Sequence, residues 1–370
     1  MLPLMSSLLT LLQERISQTG PMPFAEWMQT VLYHQPYGYY ERPRSPLGRH
    51  NDFITAPEVS PLFGQALAQA IAPLLAETNG DIIEWGAGSG ALACALLPAL
   101  QTLNQLPTRY GIREISDSRR NEQRARFATE IPTLCDRIEW LTGTEAPSSG
   151  VRIANEVMDA LPVSLFRITE TGIQEGFVND HHDQFTLEFK PPLTAGLLEH
   201  VQALGPLPLF YQSEVALSLP AWLAEVNDTL LSGAIWLIDY GFPRHEYYHP
   251  DRMQGTLMCH MAQHAHPDPL WMPGEQDITA HVDFTFVAEI ADQLGLQVAG
   301  YTTQAHFLLD CGIERLLPAP ECMVPYYEAT QALKMLVLPH EMGELFKVMG
   351  LSRNISGKLM GFSQDKRARL

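Results

Sequence analysis

The sequence predicts an α/β fold with a Rossmann-like parallel sheet, and three features support that prediction. Residues Asp81–Leu92 read DIIEWGAGSGAL, which is a short apolar strand, a glycine turn and the start of a helix. This order is typical of the nucleotide-binding corner of a doubly wound sheet. Apolar runs of strand character at Tyr110–Ile115, Val151–Asn155 and Gly233–Gly241 carry polar residues towards their carboxyl ends. Helical patterns separate the runs, as the crossover connections of a parallel sheet require.

The composition restricts the class of protein. The chain has 370 residues, 46% of them hydrophobic, which suits one large or two modest globular domains. It carries 24 basic and 42 acidic residues, and the net charge of −18 argues against a nucleic-acid surface. Five scattered cysteines without a C-x-x-C pair favour reduced thiols in the cytoplasm over disulfides or zinc. The apolar N-terminal stretch lacks a basic segment and transmembrane length, so we expect no export signal and no membrane insertion.

The glycine turn is the first candidate binding element. Gly86, Gly88 and Gly90 allow backbone N–H groups to approach a ligand, and the following helix adds donors and a partial positive charge. Glu84 precedes the turn, a placement common in S-adenosylmethionine sites. Glu114 ends the second strand, where a carboxylate accepts hydrogen bonds from ribose hydroxyls in NAD and S-adenosylmethionine sites alike. These residues leave both cofactors open, and a turn that only packs a helix on a sheet is the structural alternative.

Polar residues also follow the fourth strand. Asn155, Glu156 and Asp159 come after the apolar run that begins at Val151. Ligands in open α/β sheets bind beyond the carboxyl ends of the strands, so we expect these three side chains to face the cleft. A network of hydrogen bonds that only stabilises a turn is the alternative.

A third group of polar residues precedes the glycine corner and comprises Asp52, Thr55, Glu58 and Ser60. Ser60 stands before a proline and is well suited to cap a helix. Capping does not account for Asp52 or Glu58. This segment is therefore a candidate loop at the edge of the cleft.

The later part of the chain contains two further sets of candidates. Residues 259–266 include three histidines, but no H-E-x-x-H pattern or acidic ligand accompanies them, so a lid or substrate loop is favoured over a metal site. His281 and Asp283 follow, and Asp283 could equally cap the next helix. We expect residues 295–300 and 305–309 to be the last two strands, and residues 326–338 and 341–349 to be helical.

Several segments together resemble one family, the MidA-type S-adenosylmethionine-dependent methyltransferases. This family is related to the mitochondrial protein-arginine methyltransferase that assists assembly of respiratory complex I. The similarity spans nearly the whole chain, and the segments Asp52–Gly64 and Gly255–Phe284 are far more specific than the glycine turn. The segments are Asp52–Gly64 (DFITAPEVSPLFG), Ile82–Ala93, Ala154–Val163, Leu237–Phe242, Gly255–Phe284 (GTLMCHMAQHAHPDPLWMPGEQDITAHVDF) and Met342–Leu351.

The resemblance implies a seven-stranded class I methyltransferase sheet that binds S-adenosyl-L-methionine and has no resident metal. It implies a helical extension with a cofactor-closing loop at residues 1–75. The methyltransferase core then spans residues 76–317, with insertions at about 164–215 and 242–280, and a helical segment follows at 318–370. Two positions depart from the family pattern: Asn51 stands where glycine is usual, and Met258 where many relatives have arginine.

The resemblance also assigns roles to residues. Glu84 and the three glycines hold the methionine end of the cofactor, and Glu114 holds the ribose. The cleft near the sulfonium is lined by Asn155, Glu156 and Asp159, and the Asp52–Glu58 loop helps to close it. The predicted cofactor-binding residues are Asp52, Thr55, Glu84, Gly86, Gly88, Gly90, Glu114, Asn155 and Glu156. If the acceptor is a guanidinium, carboxylates must orient it and receive its proton. The predicted catalytic residues are Glu58, Glu156 and Asp159, with Asp283 and His281 behind them.

The favoured function is therefore methylation of arginine on a protein acceptor, with a complex I subunit as the candidate acceptor and a homodimer as the candidate assembly. A small-molecule methyltransferase is one alternative, expected if residues 242–280 close a tight pocket. A non-catalytic assembly or scaffold protein that keeps the fold is another. An NAD-dependent oxidoreductase is disfavoured because no Tyr-x-x-x-Lys or comparable hydride-transfer arrangement is present.

Overall fold

The structure, a computed structural model, describes residues 2–41, 54–182, 184–262 and 264–370. Asp52, a predicted cofactor-binding residue, lies outside the described residues, as does Asn51. The α-helices of the described residues are α1 (Leu2–Thr19), α2 (Phe24–Tyr33), α3 (Ala56–Val59), α4 (Pro61–Thr78), α5 (Ala91–Thr102), α6 (Asp117–Glu130), α7 (Leu197–Ala203), α8 (Leu219–Asp228), α9 (Arg244–Tyr247), α10 (Phe284–Gln293), α11 (Gln304–Asp310), α12 (Met323–Val337) and α13 (Met342–Leu345).

The strands of the described residues are β1 (Met22–Pro23), β2 (Asp81–Trp85), β3 (Tyr110–Arg113), β4 (Ile138–Trp140), β5 (Ser148–Asn155), β6 (Ser164–Thr169), β7 (Gly172–His181), β8 (Gln184–Lys190), β9 (Gln212–Val215), β10 (Leu230–Phe242), β11 (Met258–Met261), β12 (His264–His266), β13 (Asp277–Thr279), β14 (Val282–Asp283), β15 (Gln297–Thr303) and β16 (Phe346–Arg353).

The chain divides into two compact units. Unit 1 comprises Met1–Phe53, Asp159–Pro220 and Arg244–His281, and unit 2 comprises Ile54–Met158, Ala221–Pro243 and Val282–Leu370. The two later segments of unit 1 begin and end within five residues of the predicted insertions at 164–215 and 242–280. The predicted boundary at residue 75 differs from the structure, because α4 belongs to unit 2 together with the sheet.

Unit 2 contains an eight-stranded sheet. Seven strands form one hydrogen-bonded path in the order β15-β16-β10-β5-β2-β3-β4, and the two-residue strand β14 pairs beside β10. Strands β10, β5, β2, β3 and β4 are mutually parallel, whereas β16 is antiparallel to both β10 and β15. The α/β prediction is confirmed. The predicted number of seven strands is not met exactly, because the sheet has seven strands on one path and β14 as an eighth.

The central strands form because their residues are apolar on both faces. Residues 233–241 of β10 are all buried, without the alternation of a half-exposed strand. Helices α4 and α5 pack in the same core cluster as Trp236 and Ile238, through residues such as Phe63, Leu67 and Leu96. The sheet is therefore fixed by an apolar core that it shares with α4 and α5.

The last strand of the sheet was predicted in the wrong place. Residues 305–309 lie in helix α11, and residues 346–349, predicted to be helical, begin strand β16. The prediction of a helical segment at 318–370 is therefore wrong, because β16 lies within the sheet. Seven of the eight residues of β16 are buried. A strand buried on both faces lacks the period of two that would distinguish it from a buried helix.

Unit 1 has its own sheets and its own core. An antiparallel sheet contains β1, β7, β6 and β9 in that order, with β8 paired to β7, and a smaller sheet has the order β12-β11-β13. The core cluster includes Leu12, Trp27, Val178 and Ile278. Among the residues that the structure describes, no helix has both the length and the apolar character needed to cross a bilayer.

Candidate functional site

The glycine turn connects β2 to α5 in unit 2. Gly86, Gly88 and Gly90 all have positive φ, at 65°, 54° and 83°. A Cβ atom at Gly90 would lie 2.5 Å from the Phe127 ring, and one at Gly86 would lie 2.9 Å from Cγ2 of Val157. A Cβ at Gly88 would have no heavy atom of the described residues within 4 Å. Two of the glycines thus permit close packing, whereas Gly88 faces open space that a ligand can occupy.

Glu84, the last residue but one of β2, is buried beside this turn. The Tyr110 hydroxyl donates a hydrogen bond to its Oε2 at 2.7 Å. Burial raises the pKa of Glu84 to about 7; the Tyr110 hydrogen bond lowers that pKa and the charge of Glu114 raises it. With this pKa, part of the Glu84 carboxyl is ionised at neutral pH, and the ionised form can bind a cationic ligand.

Glu114 follows β3 and is joined to the turn by Gln123 of α6. The Gln123 Nε2 group donates to Gly88 O at 2.9 Å and to Glu114 Oε2 at 3.3 Å. Its Oε1 accepts a hydrogen bond from Trp140 Nε1 at 2.7 Å. Burial raises the pKa of Glu114, which the Ser116 N–H and the charge of Arg119 lower in part. The predicted ribose-binding carboxylate thus lies one side chain away from the glycine turn.

The end of β5 carries two more of the predicted residues. Glu156 has a φ of 55°, in the left-handed region that few residues other than glycine adopt. Its Oε1 accepts hydrogen bonds from the Ala56 N–H at 3.2 Å and from Asn155 Nδ2 at 3.1 Å. The Oδ1 atom of Asn155 is buried and has no partner among the described residues. A buried acceptor without a partner is unusual and is consistent with a ligand that donates to it.

Glu58 of α3 reaches the turn through Ser89. The Ser89 hydroxyl donates a hydrogen bond to Glu58 Oε1. Arg126 Nη1 lies 3.1 Å from the same oxygen and 2.7 Å from Ser89 Oγ. Glu58 therefore already pairs with a guanidinium of its own chain.

Thr55 and Asp283 have helix-end positions in unit 2. Thr55 precedes α3, and its carbonyl accepts hydrogen bonds from the Glu58 and Val59 N–H groups. Asp283 precedes α10, and its Oδ1 accepts hydrogen bonds from the N–H groups at positions 285 and 286, at 3.0 and 3.1 Å. Asp283 thus has the capping role that the sequence left open, and its catalytic role remains a prediction.

Asp159 and His281 belong to unit 1. Asp159 is buried, and its backbone carbonyl accepts a hydrogen bond from the Ala280 N–H at 2.9 Å. The His281 N–H donates to Thr256 Oγ1 at 2.9 Å, and that hydroxyl donates to the buried Glu214 at 2.6 Å. Asp159 is therefore hydrogen-bonded to the residue that precedes His281, so these two predicted catalytic residues lie close together in unit 1.

In unit 2, hydrogen bonds join Gly88 to Glu114 through Gln123, and join Glu58 to Ser89 and Arg126. Sequence reasoning missed Ser89, Gln123 and Arg126, which make these hydrogen bonds, and also Phe127, whose ring packs against Gly90. The last three lie within five positions of one another on α6, at the spacing that places side chains on one helix face. That spacing was a usable signal, but the charged composition of α6 indicated a solvent-exposed helix.

Comparison with known proteins finds a matching family and a solved structure of similar fold. A family model for S-adenosyl-L-methionine-dependent methyltransferases matches residues 62–302. The chain is 38% identical to a Burkholderia thailandensis protein whose crystal structure contains S-adenosyl-homocysteine, with a TM-score of 0.94 and coverage of 99% of this chain and 97% of that chain.

Curated relatives extend the comparison to eukaryotes. The mitochondrial protein arginine methyltransferase NDUFAF7 of Danio rerio is 28% identical over 92% of this chain and 86% of the relative. The protein of the same name from Homo sapiens is 28% identical over 92% of this chain and 82% of the relative. Both matches extend across the two units.

Proposed function

The chain belongs to the family of S-adenosyl-L-methionine-dependent methyltransferases, and from that premise we propose that it methylates arginine side chains of a protein acceptor. The observation that carries the proposal is the carboxylate of Glu156 at the carboxyl end of β5, beside Asn155 Oδ1, which has no partner among the residues that the structure describes. Relatives named as protein arginine methyltransferases share 28% identity with it over 92% of its length. The sequence resemblance suggests a complex I subunit as acceptor, and five free cysteines suit an activity in the cytoplasm.

The described residues fit the cofactor of this family. Within the described part of the chain, the space at Gly88 admits a ligand against the backbone of the turn, and Asn155 Oδ1, which has no partner there, offers an acceptor. When bound, the cofactor supplies a methyl group on a positively charged sulfur. We assign Glu84 to its ammonium group and Glu114 to its ribose hydroxyls, because an ionised carboxylate binds both kinds of donor.

Catalysis then requires that the acceptor guanidinium be oriented and deprotonated. Arginine is always charged in water, so a carboxylate must hold its N–H groups in the plane of attack and accept a proton as the new C–N bond forms. Glu156 is the carboxylate that we assign to this role. Its unusual backbone conformation and its two hydrogen bonds fix the carboxylate in one orientation.

The direct test is transfer of a labelled methyl group. The purified protein is incubated with S-adenosyl-L-methionine labelled in the methyl group and with protein from a bacterial lysate, and labelled protein is hydrolysed for amino-acid analysis. We expect label in methylarginine. Label recovered only in small molecules would support a small-molecule methyltransferase, and cofactor binding without any transfer would support a scaffold protein.

Cofactor affinity should depend on pH through Glu84. Because the pKa of Glu84 is raised to about 7, the carboxyl is mostly neutral at pH 6 and mostly ionised at pH 8. If only the ionised form binds the ammonium group, the affinity for S-adenosyl-homocysteine rises about tenfold between these two pH values. Isothermal titration calorimetry measures this directly, and Glu84→Gln should bind weakly with no such rise.

A Tyr110→Phe variant serves as a control, because the direction of its effect on the pKa of Glu84 is defined. The Tyr110 hydroxyl stabilises the ionised form of Glu84, so Tyr110→Phe should raise the pKa of Glu84 further. The affinity curve of Tyr110→Phe should then move to higher pH. A curve that moves to lower pH, or parent affinity that is constant from pH 6 to pH 8, would contradict the assignment of Glu84.

A further inference from the structure

Helix α3 is held over the glycine turn from two directions. The Ala56 N–H at its start donates to Glu156 Oε1 at 3.2 Å, and Glu58 near its end accepts a hydrogen bond from Ser89 in the turn. A helix of four residues has little stability of its own. Its position therefore depends on these side-chain contacts.

Arg126 completes the second contact. Its Nη1 donates to Ser89 Oγ at 2.7 Å and to Glu58 Oε1 at 3.1 Å, while its Nε donates to Glu130 Oε1 at 2.9 Å. Arg126, Ser89 and Glu58 thus form a closed triangle of hydrogen bonds. The pKa of Arg126 is raised, since the charges of Glu58 and Glu130 outweigh the opposite effect of burial.

The same helix also holds the neighbouring residue of the turn. Gln123, three positions before Arg126, donates to the Gly88 carbonyl at 2.9 Å. Helix α6 therefore holds two residues of the turn. Gln123 holds the backbone carbonyl of Gly88, and Arg126 holds the hydroxyl of Ser89. Since the backbone of this turn is where the cofactor is proposed to lie, the geometry of binding depends on α6.

We propose that Arg126 is a positioning residue for the cofactor, acting through Ser89 and Glu58 to hold the glycine turn and α3 in the binding conformation. Glu58 is then part of this support and does not bind the acceptor guanidinium. The inference rests on the proposed placement of the cofactor at the turn. It does not depend on the identity of the methyl acceptor.

A positioning role and a purely structural role predict different measurements. The side chains of Arg126 and Glu58 are 28% and 24% exposed, and ion pairs of such exposure contribute little to folding stability. Removing the pair should therefore leave the thermal unfolding temperature nearly unchanged. A positioning role predicts instead a loss of cofactor affinity, with the rate at saturating cofactor largely retained.

The test uses calorimetric titration of the full chain with S-adenosyl-homocysteine. Arg126→Gln should raise the Kd about tenfold, a change within the range of coupling energies for residues in one network. Arg126→Lys should recover most of the affinity, because its ammonium group can still reach the two oxygens. The double variant with Glu58→Gln should be no weaker than the weaker single variant, since both changes break one triangle.

Arg137→Gln is the matched control. Arg137 is exposed, and its Nη1 donates a hydrogen bond to the Pro107 carbonyl at 3.0 Å instead of to the turn. We expect its affinity to be close to that of the parent. Parent-like affinity of Arg126→Gln, or equal losses in both variants, would overturn the positioning role alone. If the parent itself does not bind, the cofactor placement is wrong and this inference is overturned with it.

Discussion

Replacement of Gly88 by valine is expected to weaken the binding of S-adenosyl-homocysteine at least 100-fold in calorimetric titration. Gly88 has a φ of 54°, and a Cβ atom there would enter space in which no heavy atom of the described residues lies within 4 Å. A valine side chain would occupy that space, where the cofactor is proposed to lie. A group of this size cannot share the space with a ligand held against the backbone, so most of the affinity is lost.

Gly295→Val is the control for this experiment. Gly295 also has a positive φ, of 70°, and also has open space around a hypothetical Cβ, but it follows helix α10 instead of β2. Both substitutions force valine into a left-handed conformation at a cost of about 1–2 kcal/mol, so both should lower the thermal unfolding temperature. Only Gly88→Val should lose binding. Equal losses of affinity in the two variants, or normal affinity of Gly88→Val, would argue against a cofactor at the turn.

The glycine corner was predictable because its signals are local. A short apolar strand, three glycines and a helix start lie within twelve residues, Asp81–Leu92, and each constrains the backbone independently of the rest of the chain. Glu84 and Glu114 were predicted as binding residues from their positions near the ends of the predicted strands, and their binding roles stay predictions. The structure adds the link between Glu114 and the turn through Gln123, which no local pattern contains.

The residues of α6 show why such links escape sequence reasoning. Arg126 and Gln123 belong to a helix rich in arginine and glutamate, which is ordinarily a solvent-exposed surface. Their role depends on the parallel pairing of β2 with β3, which brings the following helix beside the turn. That pairing is a long-range contact. A single sequence shows it only once the strand order is known.

The prediction for the residues of strand β16 was wrong for a different reason. Its sequence FKVMGLSR is buried at seven of its eight positions, and such a run is compatible with a helix as well as with a strand. Its pairing with both β10 and β15 makes it a strand. The resemblance to a known family predicted a methyltransferase sheet, but it did not locate this strand in the chain.

Glu156→Gln is expected to lower the rate of methyl transfer to the arginine acceptor about 100-fold, the lower end of the range for a positioned acid–base group. Glutamine keeps the oxygen that accepts hydrogen bonds from Ala56 and Asn155, so the end of β5 should keep its conformation. It loses the charge that orients a guanidinium and accepts its proton. The initial rate at saturating S-adenosyl-L-methionine measures the loss.

The affinity of Glu156→Gln for S-adenosyl-homocysteine separates an effect on the chemical step from an effect on cofactor binding. S-adenosyl-homocysteine has no charged sulfur, so its affinity for Glu156→Gln should change far less than the rate, which shows that the site is intact. Glu139→Gln removes one carboxylate charge at an exposed position paired with Arg109, and its rate should match that of the parent. A normal rate in Glu156→Gln would move the catalytic role away from the end of β5. A parallel loss of rate and affinity would instead make Glu156 a cofactor-binding residue, because a group that acts only on the acceptor cannot change the affinity for the product cofactor.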